Sequence, residues 1–391
     1  MILHPRSEDS TYQSPTSVQS KGVTGKFEGN EDTFTLQFNG RNRLVAEYDD
    51  RNHLPIGYAT VGDDLQPMIN PQANCKTLRK AIDWLLLNWH GRFGHLNFPA
   101  LQRILRQFPF VSIKFAAAAK CLTDFRCEIC QYAKAHRRTT HGKRTQVNDE
   151  HDGSLKAEHL EPGVRVSVDH FESRLLGLTR DSYGKPSSAK YKGGCIFVDH
   201  GTGYVHVEHQ LGFSAVETIR AKQSFESMAF GHGVVVQSYL TDSGAFKANA
   251  FVQQIRDHGQ QIRYCGTNAH HQNGVAERSI RTVSNMARAM LLHSAAHWKA
   301  GVDSSLWPMA VTYAVYIYNN TPNAQNLCPA DLFTGSTVPR HRLRDLHTWG
   351  CPVYILDPSL QAGQKLPRWA PRSRRGVFVG LSSFGSKFAN W

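Results

Sequence analysis

The sequence lacks two features of exported and membrane proteins, and it is short of acidic residues. Its N-terminus, MILHPRSEDS, has no apolar signal-peptide core, and no apolar run approaches the roughly 18 residues of a membrane span. We therefore expect a protein that is not secreted, has no membrane partner and works in a reducing compartment. The 391 residues include 32 Asp and Glu against 45 Lys and Arg, a formal net charge of +13. This balance favours an acidic polymer as partner, with an ordinary basic surface as the alternative.

The eight cysteines are interpreted as metal ligands or core residues, because disulfides are rare in reducing compartments. His90 and His95 form an H-x4-H pair, and Cys127 and Cys130 form a C-x2-C pair. Two nitrogens and two sulfurs in a tetrahedron suit structural Zn²⁺. The alternative is two ordinary helix histidines with two core cysteines. Cys121 is a competing ligand whose spacing fits a zinc knuckle less well.

Composition and periodicity divide the chain into six segments, with no internal repeat. The central segment alternates strand and helix patterns, which predicts an α/β domain. The expected segments are a disordered region or linker over 1–32, a small β-rich part over 33–74, a helical zinc-binding module over 75–138, a linker over 139–162, the α/β core over 163–335, and a basic β-rich C-terminal part over 336–391. The abrupt end, FVGLSSFGSKFANW, suggests a piece of a longer product.

Three carboxylates occupy positions where α/β folds assemble active sites. Asp169 follows the apolar strand VRVSV, Asp242 follows VVVQSYL, and Glu277 lies near the start of a long helix. Three such groups could hold two Mg²⁺ or Mn²⁺ ions and support phosphoryl transfer. The alternative for the helix is a solvated charged face. Two further acids, Asp199 and Asp181, are interpreted as a turn residue and a loop residue.

Basic and amide side chains near these motifs are candidate nucleic-acid contacts, because Arg suits phosphate recognition. The predicted contacts are Gln272, Asn273, Arg278, Arg281 and Arg288 at the long helix, and Arg137 and Arg138 after the cysteine pair. From Lys365 to the end there are six Lys and Arg and no acid, with Trp369 interleaved. A solvated loop or a nuclear import signal is the alternative for that basic stretch.

Several blocks, in order, resemble the pre-integrase and integrase region of Ty1/copia-type LTR retrotransposons. WHGRFGHLNFPAL with CEIC resembles the family's zinc motif. VSVDHF, FVDHGTGYVHV, TDSGAF and HHQNGVAERSIRT resemble the blocks of its catalytic core, and SLWPMAVTYAVYIYNNTP and WGCPVYILDP resemble the region after the core. The resemblance runs from about residue 36 to the end.

The resemblance implies an RNase H-like core, a mixed five-stranded sheet with helices on both faces, and a D, D, E site at Asp169, Asp242 and Glu277. The implied enzyme is a polynucleotidyl transferase that processes the 3′ ends of element DNA and joins them to target DNA with Mg²⁺ or Mn²⁺. The resemblance also implies a homo-oligomer, a polyprotein shared with reverse transcriptase, and a nuclear location after a cytoplasmic particle stage.

The sequence departs from that family at two points. The 34 residues between Asp242 and Glu277 are one fewer than is usual, and TNAHH replaces the usual Pro-rich loop.

Two other functions compete with the integrase hypothesis. The triplet Asp242-Ser243-Gly244 also occurs in aspartic proteases, but these need a following all-β sequence, and a helix pattern follows here. A catalytically dead or repurposed integrase that only binds DNA is the stronger alternative.

Overall fold

The computed structural model describes most of the chain beyond residue 84, together with five strands nearer the N-terminus. The backbone of these strands lies between residues 19 and 58. The fully described residues are 85–107, 126–135, 160–179, 187–242, 244–265, 273–298, 303–336, 343 and 346–381. Contacts divide the chain into one compact unit over Met1–Leu78 and another over Arg79–Trp391.

The N-terminal unit contains an antiparallel meander of five strands in sequence order. They are β1 (Gln19–Ser20), β2 (Val23–Gly25), β3 (Thr33–Phe38), β4 (Asn42–Asp49) and β5 (Leu54–Tyr58). The predicted β-rich part over 33–74 therefore contains strands. Strands β1 and β2 fall inside the segment predicted to be a linker or disordered, where β2 pairs with β3.

The second unit is built on a mixed five-stranded sheet with the order β10-β9-β6-β7-β8. Its strands are β6 (Val166–Leu178), β7 (Lys190–Asp199), β8 (Val205–Gln210), β9 (Ser238–Thr241) and β10 (Gln261–Tyr264). The pairs β6–β7 and β7–β8 are antiparallel, whereas β9 runs parallel to both β6 and β10. This order and these directions are those of the expected RNase H-like fold.

Helices surround the sheet and form the region before it. Residues 85–92 form α1, and the later helices are α2 (Phe98–Gln107), α3 (Glu128–Lys134), α4 (Ala215–Gly231), α5 (Asn249–Asp257), α6 (Gly274–His297), α7 (Trp307–Asn319), α8 (Pro329–Thr334) and α9 (Pro358–Gln361). None of the described helices combines the length and apolarity that crossing a membrane requires.

The two faces of β7 show why helices cover the sheet on both sides. Successive strand residues point to opposite faces, so Cys195 and Phe197 join a core with Phe225 of α4. Ile196 and Val198 join the other core, which contains residues of α6 and α7. This burial on both faces explains the continuous apolar run CIFV, which a half-exposed strand would not have.

Side-chain caps define the starts of two helices, and the position of Asn97 before Pro99 predicts the first of them. Asn97 accepts a hydrogen bond from the Ala100 backbone at 2.9 Å and caps α2. Ser214 caps α4 through Glu217. The strand predicted over residues 234–240 is shorter, since β9 begins at Ser238. Val234 and Val236 are apolar because they pack in the core beside α4, outside the strand ladder.

The C-terminal part forms an antiparallel hairpin of β11 (Pro352–Leu356) and β12 (Ser373–Val377). The apolar run GVFVGL over 376–381 predicts the second strand, but β12 begins earlier, at Ser373 within the basic stretch. Phe378 and Val379, just beyond β12, are buried in the same core as α7. This contact packs the hairpin against the rest of the second unit.

Asp199 ends β7 and organises the following turn, as expected of a turn residue. Its fully buried carboxylate accepts hydrogen bonds from the backbone of Gly163 at 2.8 Å and from the backbone and hydroxyl of Thr202 at 2.9 and 2.7 Å. Gly203 completes the turn with a φ of 72°, which a side chain would disfavour. Burial raises the pKa of Asp199, and these hydrogen bonds oppose the shift.

We expect Asp199→Ala to lower the free energy of unfolding by about 3 kcal/mol, because it leaves buried donors without an acceptor. Asp199→Asn should cost less, since its amide oxygen can still accept. The exposed Asp257→Ala is the control and should change stability by less than about 0.5 kcal/mol. Urea unfolding measures all three, and a neutral Asp199→Ala would contradict this role.

Candidate active site and metal centre

Asp169 on β6 and Asp242 directly after β9 lie at the same level of the sheet. In the parallel pair β6–β9, Val168 is opposite Thr241, and each carboxylate belongs to the next residue. Both side chains are half-buried. The sheet backbone therefore sets their spacing, and both remain open to solvent.

The start of α6 is attached to the same point of the sheet. The Asn273 side chain donates a hydrogen bond to the Val168 carbonyl at 3.2 Å, and Asn273 is only 2% exposed. Val168 immediately precedes Asp169, and Glu277 lies in the first turn of α6. The junction thus brings the helix that carries Glu277 to the strand that carries Asp169.

All three carboxylates affect the pKa of one thiol, that of Cys265. Its backbone donates to Thr241 at 2.9 Å, directly after β10. Burial raises the pKa of the Cys265 thiol, and Asp242, Asp169 and Glu277 each raise it further. All three carboxylates therefore act on the same thiol, although they are far apart in sequence.

The carboxylates of Asp169, Asp242 and Glu277 are not close enough together to hold one metal ion in this arrangement. Among the described residues, the His–Cys group is the only set of three or more His, Cys, Asp or Glu side chains close enough to hold a metal. The oxygen donors of the trio suit Mg²⁺ or Mn²⁺. Ion binding would have to draw these three half-exposed side chains closer together.

His170 links β6 to the segment after Asp242, a role that the sequence did not reveal. Its ring stacks on Phe246 at a centroid distance of 4.6 Å, and its Nε2 lies 3.3 Å from the Thr218 hydroxyl. Burial lowers the pKa of His170 to about 4, against an opposing effect of Asp242. A neutral imidazole therefore helps to hold the backbone beyond Asp242 against the sheet.

His90, His95, Cys127 and Cys130 come together before the core. One ligand atom from each lies within 4.8 Å of all the others. His90 Nε2 is 3.1 Å from Cys130 Sγ, and His95 Nδ1 is 3.5 Å from Cys127 Sγ and 3.7 Å from Cys130 Sγ. Three of the four are buried, and this N2S2 set fits a tetrahedral Zn²⁺.

Electrostatics favour a thiolate at this cluster. A hydrogen bond from Cys130, followed by those of the two histidines, lowers the pKa of Cys127 against the opposing effect of burial. Burial lowers the pKa of His90, which keeps its imidazole neutral. Thiolate and neutral imidazole are the forms that bind zinc.

A fifth side chain adjoins the cluster from α6. His293 Nδ1 lies 3.0 Å from His95 Nε2, on the side of the ring away from the cysteines. Burial lowers the pKa of His293 to about 3, with His95 adding to the shift. No motif around His293 pointed to this position; the only signal was a second histidine, His297, one turn later.

The predicted nucleic-acid contacts have different environments. Arg278 and Arg281 are exposed on α6. Arg288 donates to the Ala133 carbonyl at 3.0 Å and to Asn285, so it connects α6 to α3. Asn273 is buried at the helix junction and bonds to Val168, and its DNA contact stays a prediction. Outside the described residues lie Arg137, Arg138, Asp181, Gln272 and Cys121.

Comparison with known proteins gives one family match and several structural likenesses. A GAG-pre-integrase domain family model matches residues 64–135, which include all four His–Cys residues. The HTLV-2 integrase catalytic core domain in complex with magnesium is 18% identical with a TM-score of 0.32, covering 44% of this chain and 98% of that one.

Two further solved structures resemble longer or similar parts of the chain. The simian T-cell lymphotropic virus intasome in complex with PP2A regulatory subunit B56 gamma gives 13% identity and a TM-score of 0.35, covering 71% of this chain and 87% of that one. The catalytic core domain of BIV integrase gives 14% identity and a TM-score of 0.32, covering 44% of this chain and 95% of that one. The fold class itself follows from the strand order described above.

Replacing Cys130 by Ser should weaken Zn²⁺ binding by at least about 100-fold, because a hydroxyl is a poor zinc ligand. We expect the purified parent chain to retain one zinc after dialysis, measured by elemental analysis, and the variant to lose it. Cys351→Ser, which changes a cysteine outside the cluster, is the control and should retain its zinc. Equal zinc contents in parent and Cys130→Ser would contradict the site.

Neutralising Asp242 should increase the reactivity of Cys265. Asp242 contributes most among the three acids to the raised thiol pKa, so Asp242→Asn should lower that pKa. At pH 8 and without divalent ions, we expect alkylation of Cys265 to accelerate about two- to threefold. Peptide mapping by mass spectrometry gives the rate, with Cys351 as the internal control. An unchanged Cys265 rate would contradict the effect of Asp242 on this thiol.

Proposed function

We propose that the chain is an integrase of an LTR retroelement of the Ty1/copia type. It would bind the ends of element DNA, process their 3′ ends and join them to target DNA. The reaction would be polynucleotidyl transfer at Asp169, Asp242 and Glu277. The observation that carries the proposal is that all three acids are attached at one point of the sheet, where Val168 pairs with Thr241 and Asn273 donates to the Val168 carbonyl.

The chemistry expected of this site follows from the position of each acid. Mg²⁺ or Mn²⁺, when bound, would supply charge stabilisation for attacking and leaving oxygens. Asp169 lies on β6 and Asp242 directly follows β9, which pairs with β6, so the two acids offer ligands at neighbouring positions. Glu277 lies on a helix held by Asn273, and it would supply the third ligand from another direction.

The separation of the three carboxylates is consistent with a site in which they come together only when ions and DNA bind. All three side chains are half-exposed, so a DNA phosphate and divalent ions could enter together. Bringing the carboxylates together without such ions would increase their mutual repulsion. We therefore expect ions and DNA to support each other's binding.

Basic and aromatic side chains supply candidate surfaces for DNA. Arg278 lies one residue after Glu277 and is exposed, as is Arg281 one turn later. On the C-terminal hairpin, Tyr354 is opposite Arg375 and is 73% exposed, and Trp369 is 90% exposed. Arginine and aromatic side chains suit phosphate and base contacts, respectively.

The proposal extends to the cellular setting of the protein. We propose a structural Zn²⁺ at the His–Cys cluster, a homo-oligomer on DNA, and an origin in a polyprotein that also encodes reverse transcriptase. Action in the nucleus after a cytoplasmic particle stage follows from that origin. The family match to a pre-integrase domain over residues 64–135 supports this setting.

The alternative function is a catalytically inactive DNA-binding protein derived from an integrase. The shortened spacing from Asp242 to Glu277 and the open trio favour this alternative. It shares the zinc cluster and the basic surfaces with the enzyme. Only joining activity separates the two functions.

In a strand-transfer assay with oligonucleotide ends and Mg²⁺, we expect the parent chain to join DNA. Asp242→Asn and Glu277→Gln should each reduce joining by at least about 100-fold, because each removes a charged ligand of the ions. Binding of labelled DNA, measured by fluorescence anisotropy, should change by less than about threefold.

Asp257→Asn is the matched control, since Asp257 is an exposed acid on α5, and it should join DNA at the parent rate. A parent chain that binds DNA but does not join it would contradict the enzyme and support the inactive alternative. Equal joining by parent and Asp242→Asn would exclude the proposed site.

A further inference from the structure

We propose that His293 of α6 is a positioning residue for the zinc site, which accepts the Nε2 hydrogen of His95 and holds its Nδ1 toward the cysteines. The inference rests on the proposed zinc site and adds a residue from the core that neither the C-x2-C nor the H-x4-H motif contains. By this inference α6, the helix that carries Glu277, also contributes a side chain next to the metal ligands.

The two nitrogens of His95 face different partners. Its Nδ1 lies 3.5 Å from Cys127 Sγ and 3.7 Å from Cys130 Sγ, whereas its Nε2 lies 3.0 Å from His293 Nδ1. A neutral imidazole carries one hydrogen. If Nδ1 binds the metal, that hydrogen must lie on Nε2, where His293 Nδ1 is in place to accept it.

Such partners orient metal-bound histidines in proteins generally, although carboxylates and carbonyls are the usual acceptors. An imidazole acceptor differs because it is neutral. It therefore adds no negative charge beside the sulfurs of Cys127 and Cys130. This property gives a physical reason for a histidine at this position.

Other contacts fix His293 in this orientation. Its ring stacks on His297 at a centroid distance of 4.2 Å and lies 5.6 Å from the Trp298 ring. A Cβ added at Gly91 would lie 3.4 Å from the His293 ring and 3.5 Å from Thr348. The glycine after His90 thus permits close approach of α1 to this ring.

Further contacts along α6 support a joint role for the helix and the cluster. Arg288 of α6 donates to the Ala133 carbonyl in α3, which begins directly after Cys127. A Cβ added at Gly94 would lie 3.2 Å from the Met290 sulfur. Both halves of the His–Cys cluster therefore pack against α6. His293 is a polar contact between this helix and His95, a predicted zinc ligand.

The first experiment measures zinc affinity of the full chain by competition with a chromophoric chelator. We expect His293→Ala to weaken zinc binding by about 10- to 100-fold. His293→Gln, whose amide oxygen can accept the same hydrogen, should recover at least half of that loss on a logarithmic scale. His232→Ala, which removes an exposed histidine directly after α4, is the control and should stay within about threefold of the parent.

The second experiment determines the His95 tautomer by ¹⁵N–¹H spectroscopy of the zinc-loaded parent. We expect the hydrogen on Nε2 and the metal on Nδ1, whereas a hydrogen on Nδ1 would overturn the proposal. His293→Gln keeps this test available if His293→Ala fails to fold.

The outcomes separate the two levels of inference. If the parent binds zinc and both His293 variants match it, only the role of His293 is overturned. If the parent binds no zinc, the zinc site and the role of His293 are both overturned.

Discussion

The parallel pairing of β6 with β9 is the contact on which the candidate active site depends. It aligns Val168 with Thr241, so the next residues on both strands, two acids, emerge side by side. β6 is also the central strand, and it receives the Asn273 hydrogen bond at the Val168 carbonyl. The two strand acids and the helix acid are thus all attached close to one point in the sheet.

Helix α6 connects two sites that the sequence presents as separate modules. Glu277 lies in its first turn and His293 in its last two turns, 16 residues later, which corresponds to about 24 Å along the axis. The apolar side of the helix, including Ala287 and Met290, is buried in one core with α7 and α2. Because α6 is one continuous helix, zinc binding near His293 would also stabilise the helix that carries Glu277.

The sequence predicted the fold class and most elements because their signals are local. Alternation and apolar runs identified β6, β7 and β8, and Asn97 identified the start of α2. The four His–Cys residues were predicted from spacing alone, and the structure brings them together. The RNase H-like strand order was implied by the family resemblance rather than by any local pattern.

The remaining features depend on tertiary contacts that leave no pattern in sequence. His293 and Cys265 matter because of neighbours that are distant in the chain. Asn273 and Arg288 are predicted DNA contacts from their polarity, and the structure adds contacts of Asn273 with β6 and of Arg288 with α3 that polarity did not reveal. A polar residue on a helix gives the same sequence signal whether it faces solvent, a ligand or a backbone carbonyl. β12 was placed too late because its exposed arginines hide the strand pattern.

The central claim is that Asp169, Asp242 and Glu277 form one site for divalent ions. Anomalous diffraction from crystals grown with Mn²⁺ tests it most directly, because the signal locates the ion without reference to activity. The account predicts Mn²⁺ density between the three carboxylates, with an oxygen of each at about 2.0–2.3 Å from an ion. Well-ordered density for all three side chains with no Mn²⁺ between them, or with Glu277 directed away from the two aspartates, would contradict it.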